Sequence, residues 1–114
     1  MKISKRNGMN TLVNNYDAIE KLILEENLKI VSVDFHAELD LMLVLLNTKA
    51  VLHQKLSAYP ALKNADKKSL SDFEIIAGGK GIHWRLLDED LSLKGFLQDE
   101  LRSAVTPANR SEIL

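Results

Sequence analysis

The 114-residue chain contains no cysteine and only two prolines. The missing thiols exclude thiol catalysis, cysteine-ligated zinc, iron–sulfur clusters and disulfides, and leave no argument for an oxidising compartment. Long apolar runs are missing too: the longest, Leu41 to Leu46, falls far below the roughly 20 residues a membrane-spanning helix requires. Neither sign of charge dominates, since 15 Lys and Arg face 16 Asp and Glu for a net charge of −1. No domain-wide basic field is therefore available to hold nucleic acid through its phosphates. The start carries Lys2, Lys5 and Arg6, but no apolar core follows, so it does not read as a secretory signal. These absences together predict a cytoplasmic protein with no membrane role and no nucleic-acid binding by this domain alone.

What is present suits one globular domain, with 46% hydrophobic and 27% charged residues. A chain of this length buries enough surface to fold without disulfides or a structural metal. From Thr11 to Glu26, Leu12, Tyr16, Ile19 and Ile23 recur at three- and four-residue steps, which predicts an amphipathic helix stopped by Asn27 in a left-handed conformation. Alternating Val31, Val33 and Phe35 then predict a half-buried strand with those three residues inside. The stretch Leu39 to Leu46 is apolar on both faces and predicts a central strand covered on each side. Asn47-Thr48 supplies a tight turn with Asn as the left-handed residue, and Lys49 to Leu56 returns as a third strand.

Ser57 to Leu70, broken by Pro60, predicts one or two short connecting turns. Asp72 to Ala77 and Gly81 to Arg85 flank Gly78-Gly79-Lys80 as a second hairpin whose glycines take positive φ. Leu86 to Leu91 reads as an acidic connection, and Ser92 caps a final helix in which Leu93, Phe96, Leu97, Leu101 and Ala104 share the buried face before Pro107. No internal repeat is legible. The expected fold is therefore α+β: an antiparallel three-stranded meander plus a second hairpin, with an N-terminal and a C-terminal helix packed on the sheet. Residues 1–9 are expected as a flexible basic tail, 10–27 as the N-terminal helix, 28–105 as the core domain and 106–114 as a flexible tail.

Candidate chemistry is sparse. His36, His53 and His83 have no metal-ligand spacing, so no metal site and no cofactor are expected. The loop Gly78-Gly79-Lys80-Gly81 resembles a phosphate cradle only in composition, because it leads into a strand and lacks the Lys-Ser/Thr ending of a P-loop. Asp88, Glu89 and Asp90 form the densest acidic run; just before the Ser92 cap, Asp90 reads as a carboxylate at the positive end of the helix dipole. Calcium would require alternating ligands with a distal Glu, which are missing. Strand alternation sends Trp84 inward beside Phe73 and leaves His83 outside near the acidic run. The candidate ligand- or partner-binding residues are His83, Arg85, Asp88 and Asp90, with no catalytic set. Leu12, Tyr16, Ile19 and Ile23 form a candidate partner or dimer helix, or else a cover for the sheet.

Two stretches carry a family resemblance: Leu56-Ser-Ala-Tyr-Pro-Ala-Leu-Lys-Asn-Ala65 and, more specifically, Gly79-Lys-Gly-Ile-His-Trp-Arg-Leu-Leu-Asp-Glu-Asp-Leu-Ser-Leu-Lys-Gly-Phe-Leu97. They resemble the bacterial and phage family called domain of unknown function 2442, over roughly Lys29 to Leu97. Two positions depart from the family pattern: Asn47-Thr48 replaces an Asp-Gly-type turn, and Arg85 stands where Pro is common. The resemblance implies a compact α+β domain and supplies no catalytic residue. It also implies companions of small toxin-like proteins and modules fused to DNA-binding domains. The expected function is thus a non-enzymatic interaction or regulatory protein, antitoxin-like or phage-associated, with a protein partner or a second copy. The alternatives are a small-ligand domain around His83 and Asp88 and, behind it, a metal-assisted hydrolase.

Overall fold

The exit of the first helix and each hairpin turn on a residue in the left-handed region, where most L-residues are strained. Asn27 ends the first helix, Asp40 and Lys49 turn the first sheet, and Ala77 and Asp88 turn the second; their φ values run from 51° to 80°. The computed structural model describes residues 18–106. The parts of the predicted helix before Ala18, with Leu12 and Tyr16, and both expected tails up to residue 9 and from residue 107 lie outside them.

Helix α1 covers residues 18–25. Strands β1 (Ile30–His36), β2 (Leu41–Leu46) and β3 (Val51–Lys55) form an antiparallel sheet in the order β1-β2-β3. Short helices α2 (Pro60–Lys63) and α3 (Lys67–Ser71) connect it to a second antiparallel sheet, β4 (Phe73–Ile76), β5 (Gly81–Trp84) and β6 (Glu89–Ser92). Helix α4 (Leu93–Val105) follows β6 directly and packs on β3 and β6. Its cap is the expected one, with Ser92 Oγ accepting from the Gly95 amide at 3.0 Å and satisfying a first-turn donor.

The two sheets repeat one plan that the sequence does not announce. In each, a strand meets a 3-10 turn opened by an alanine, Ala37 or Ala77, and a central strand with two fully buried residues follows: Met42 and Val44, or Ile82 and Trp84. The chemistry at matching positions differs, so the likeness survives in geometry alone. Phe35 of β1 joins the sheets by meeting Phe73 and Trp84 edge to face, at centroid distances of 5.7 and 6.3 Å. Ile23, Leu62, Leu70, Leu93 and Phe96 close the same core.

Several expectations are corrected. The acidic connection contains a third strand, β6, so the second hairpin is a meander like the first. Val31 is exposed, because Ile30 pairs with Leu46 while Ser32 pairs with Leu45; the extra residue bulges out and Val33 returns inside. Strand β2 is central but covered on one face: Met42, Val44 and Leu46 are buried, whereas Leu41, Leu43 and Leu45 stay half-buried. Lys49, not Asn47, takes the positive φ of that turn. The Asn47 side chain instead accepts from the Lys29 amide at 3.0 Å and donates to the Asn27 carbonyl at 2.9 Å, tying the exit of α1 to the turn. On α4, Leu101 and Ala104 do not join the buried face.

Candidate functional site

The outer face of the second sheet assembles polar side chains by register. Glu74, His83 and Asp90 occupy one cross-strand row, on the face opposite fully buried Ile82 and Trp84. His83 Nδ1 lies 2.5 Å from Asp90 Oδ1; a carboxylate only accepts, so this nitrogen carries the shared proton. Asp90 therefore serves a strand pair. Arg85 turns toward Asp72 and forms an ion pair with it. Asp88 sits exposed in the β5–β6 turn with φ of 51°. Of the four candidates, the structure joins His83 to Asp90 and leaves Arg85 and Asp88 apart from them.

A cleft of about 410 Å³ opens beside this row, between the second sheet and α4. It is lined by the apolar Ile76, Leu91 and Phe96 and by the charged Lys80, Asp90 and Asp99. Gly81 and Gly95 line it as well, and their missing side chains leave it open. A Cβ on Gly95 would meet only Ser92 Oγ, at 3.2 Å. His83, Arg85 and Asp88 do not line this space. A roomier groove of about 530 Å³, between β1 and α3, is bordered by Asp34, His36, Glu38 and Lys67.

At the back of the cleft, a polar network absent from the sequence reading fastens α4 to β3. Buried Gln54 donates to the Phe96 carbonyl at 3.4 Å and to Glu100 Oε1 at 3.3 Å, and Glu100 also accepts from the His53 amide at 3.2 Å. The Tyr59 hydroxyl meets Gln54 Oε1 and lies 2.9 Å from Asp99 Oδ2. Burial, reinforced by the Asp99 carboxylate, pushes the Tyr59 phenol well above its ordinary range, because the phenolate would lose hydration beside a negative charge. One signal was available in the sequence: Gln54 stands at an inward position between Leu52 and Leu56, and a polar residue there demands partners.

The three histidines lie apart, His36 at the end of β1, His53 on β3 and His83 on β5. Among the described residues, no group of three or more His, Asp or Glu side chains is arranged to hold a metal ion. No helix among them is long and apolar enough to cross a membrane.

Residues 30–100 match the family described as protein of unknown function (DUF2442). No curated protein matches the chain. Among solved structures, the chain is similar to a protein of unknown function from Rhodospirillum rubrum, with 25% identity and a TM-score of 0.57 over 63% of this chain and 87% of that one. It is also similar to an uncharacterized protein from Chromobacterium violaceum solved by solution NMR, with 26% identity and a TM-score of 0.59 over 88% of this chain and 87% of the other.

Proposed function

The chain belongs to the DUF2442 family, and from that starting point we propose that it is a non-enzymatic, cytoplasmic protein-binding module whose seat is the cleft between the second sheet and α4. The observation that carries this reading is the make-up of the cleft, whose lining combines apolar Ile76, Leu91 and Phe96 with charged Lys80, Asp90 and Asp99. That is the anatomy of an anchor pocket, where a partner's apolar side chain is desolvated at the centre and polar groups fix its orientation at the edge. Polar pairs at and beside the cleft support it, His83 with Asp90 and Tyr59 with Gln54 and Asp99, as the polar edge of an interface requires.

A second reading, a small-ligand site, is favoured by the cleft volume of about 410 Å³, which falls within the range of ligand pockets. Antitoxin-like and phage-associated roles are particular cases of the first reading. The test is capture from an extract of the source organism on tagged wild-type protein and on Gly95→Met, whose side chain fills the cleft from a helical position. Native mass spectrometry then identifies what is bound, and circular dichroism checks the fold of the variant. A stoichiometric protein lost from Gly95→Met supports the module, and a toxin-like protein in that place selects the antitoxin case. A small bound mass lost from the variant selects the ligand reading. Equal capture by both proteins moves the seat away from the cleft.

A further inference from the structure

The two outer edges of the first sheet are treated differently. At β3 the Glu100 carboxylate accepts from the His53 amide at 3.2 Å, and α4 packs against the strand. Strand β1 pairs only with β2, so alternate residues along it direct their backbone N–H and C=O groups away from the sheet. Among the described residues, no backbone hydrogen bond from outside the sheet reaches Val31 to His36. We propose that this edge receives an extended, basic segment of a partner protein as a fourth strand, held in the groove of about 530 Å³ between β1 and α3.

The groove follows the edge of the strand rather than one of its faces. Successive side chains of a strand point to opposite faces, yet the consecutive residues Val33 to His36 all border the groove, with Leu70 and Ser71 of α3 opposite. The bulge between Ile30 and Ser32 disturbs only the start of this edge; from Ser32 to His36 the register with β2 is unbroken. Val33 to His36 span roughly 10 Å at the strand rise, which suits a paired segment of about four residues. Alternation then dictates its side chains. On the inner face they meet Phe35 and Phe73, both half-buried beside the core, and aliphatic residues fit there. On the outer face they meet exposed Asp34, with His36 3.8 Å from it, and exposed Glu38 follows just beyond the strand. Lys or Arg at the alternate positions complements these carboxylates, because opposite charges across a strand pair attract. Lys67 is the basic group on the far wall, so the attraction is directed to the β1 side. Strand addition of this kind takes affinity from main-chain bonds and selectivity from alternate side chains. The groove and the cleft share no lining residue, so this inference goes beyond the cleft reading and does not depend on it.

The probes are acetylated, amidated hexapeptides that alternate Val or Ile with Lys or Arg, titrated into the isotope-labelled full-length protein and followed by NMR. Shift changes are expected along β1 and α3, with slowed exchange of the β1 amides that point away from β2. Methylating the peptide's backbone nitrogens along one edge is expected to abolish binding, and methylating them along the other edge to preserve it. Asp34→Lys/Glu38→Lys, at two exposed positions, is expected to bind about tenfold more weakly, with circular dichroism verifying its fold. Binding that survives methylation of either edge would reduce the contact to surface charge and overturn the proposal. So would a lack of binding by every member of the set, or shift changes centred on Leu91 and Phe96, which would assign the peptide to the cleft. Outward β1 amides already slow to exchange in the free protein would overturn it too, because another part of the chain or a second copy then fills the edge. The capture experiment with Gly95→Met decides the cleft reading separately.

Discussion

Replacing Trp84 by Phe removes the ring on which the two sheets meet. The indole is fully buried, its Nε1 donates to the Leu70 carbonyl at 3.1 Å, and Phe35 of the other sheet lies 6.3 Å away edge to face. Phe keeps an aromatic ring but has no donor, so a buried carbonyl loses its partner at a cost of about 1–3 kcal/mol. The smaller ring leaves a void that adds on the order of 1 kcal/mol. The expected loss is about 2–4 kcal/mol, a large share of the stability of an ordinary domain. Urea unfolding followed by far-UV circular dichroism measures it, because the substitution removes the sole tryptophan; the midpoint falls while the slope is unchanged. A double-mutant cycle with Phe35→Leu is expected to show coupling of about 0.5–1.5 kcal/mol between the rings. A loss below about 1 kcal/mol, together with strict additivity in the cycle, would refute the view that Trp84 pins the sheets together.

Other expectations follow from single positions. Gly79→Ala is expected to destabilise by about 2–4 kcal/mol through crowding and strain, since its Cβ would lie 2.7 Å from Lys29 Cβ at φ +94°. Gly78→Ala meets open space at φ +64° and loses about 1–2 kcal/mol; equal melting temperatures for the two variants would contradict this. Asp40 is held below its ordinary value mainly by the Ser57 hydroxyl and then the Ser57 amide, and Asp66 by the Ser69 amide. Their stabilisation is present above the ordinary value of 3.8 and lost as pH falls through the lower folded-state values, so melting temperature drops more steeply below pH 4 in wild type than in Asp40→Asn/Asp66→Asn. Identical acid limbs would exclude these carboxylates. Because the Tyr59 phenol is pushed up, stability is complete below the ordinary tyrosine value of 10.0 and declines as pH rises beyond it; Tyr59→Phe abolishes that decline, and an unchanged alkaline limb in a thermal-melt series would count against the network.

The sequence made the larger elements legible because their signals are local. Asn27, the Gly78-Gly79 turn and the Ser92 cap each act within a few residues, and all three appear where the pattern puts them. Strand β6 escaped because Glu89, Asp90 and Ser92 look like a solvated connection; only pairing with Gly81 to Trp84 makes them a strand. Val31 escaped for a similar reason, since a bulge depends on the partner's register. At the site, His83 and Asp90 were legible as neighbours of an acidic run, but their contact comes from antiparallel register. Arg85 and Asp88 were grouped with them by sequence proximity, which the β5–β6 turn undoes. The cleft rests on Phe96 and Asp99 of α4 coming back to the sheet, a long-range return that short-range patterns do not encode.

The economy of this connectivity bears on how the chain folds. Each meander is made from one continuous stretch, residues 30–55 for the first and 73–92 for the second, so strand pairing needs only small loops to close. The return of Glu100 to the His53 amide spans 47 residues. Low sequence separation favours fast formation, whereas closing a long loop is entropically slower. Two nuclei are therefore expected to form independently, and their joining by α4 comes after the folding transition state. Substitutions at Gln54 or Glu100 should then accelerate unfolding while leaving the refolding arm of the chevron nearly unchanged.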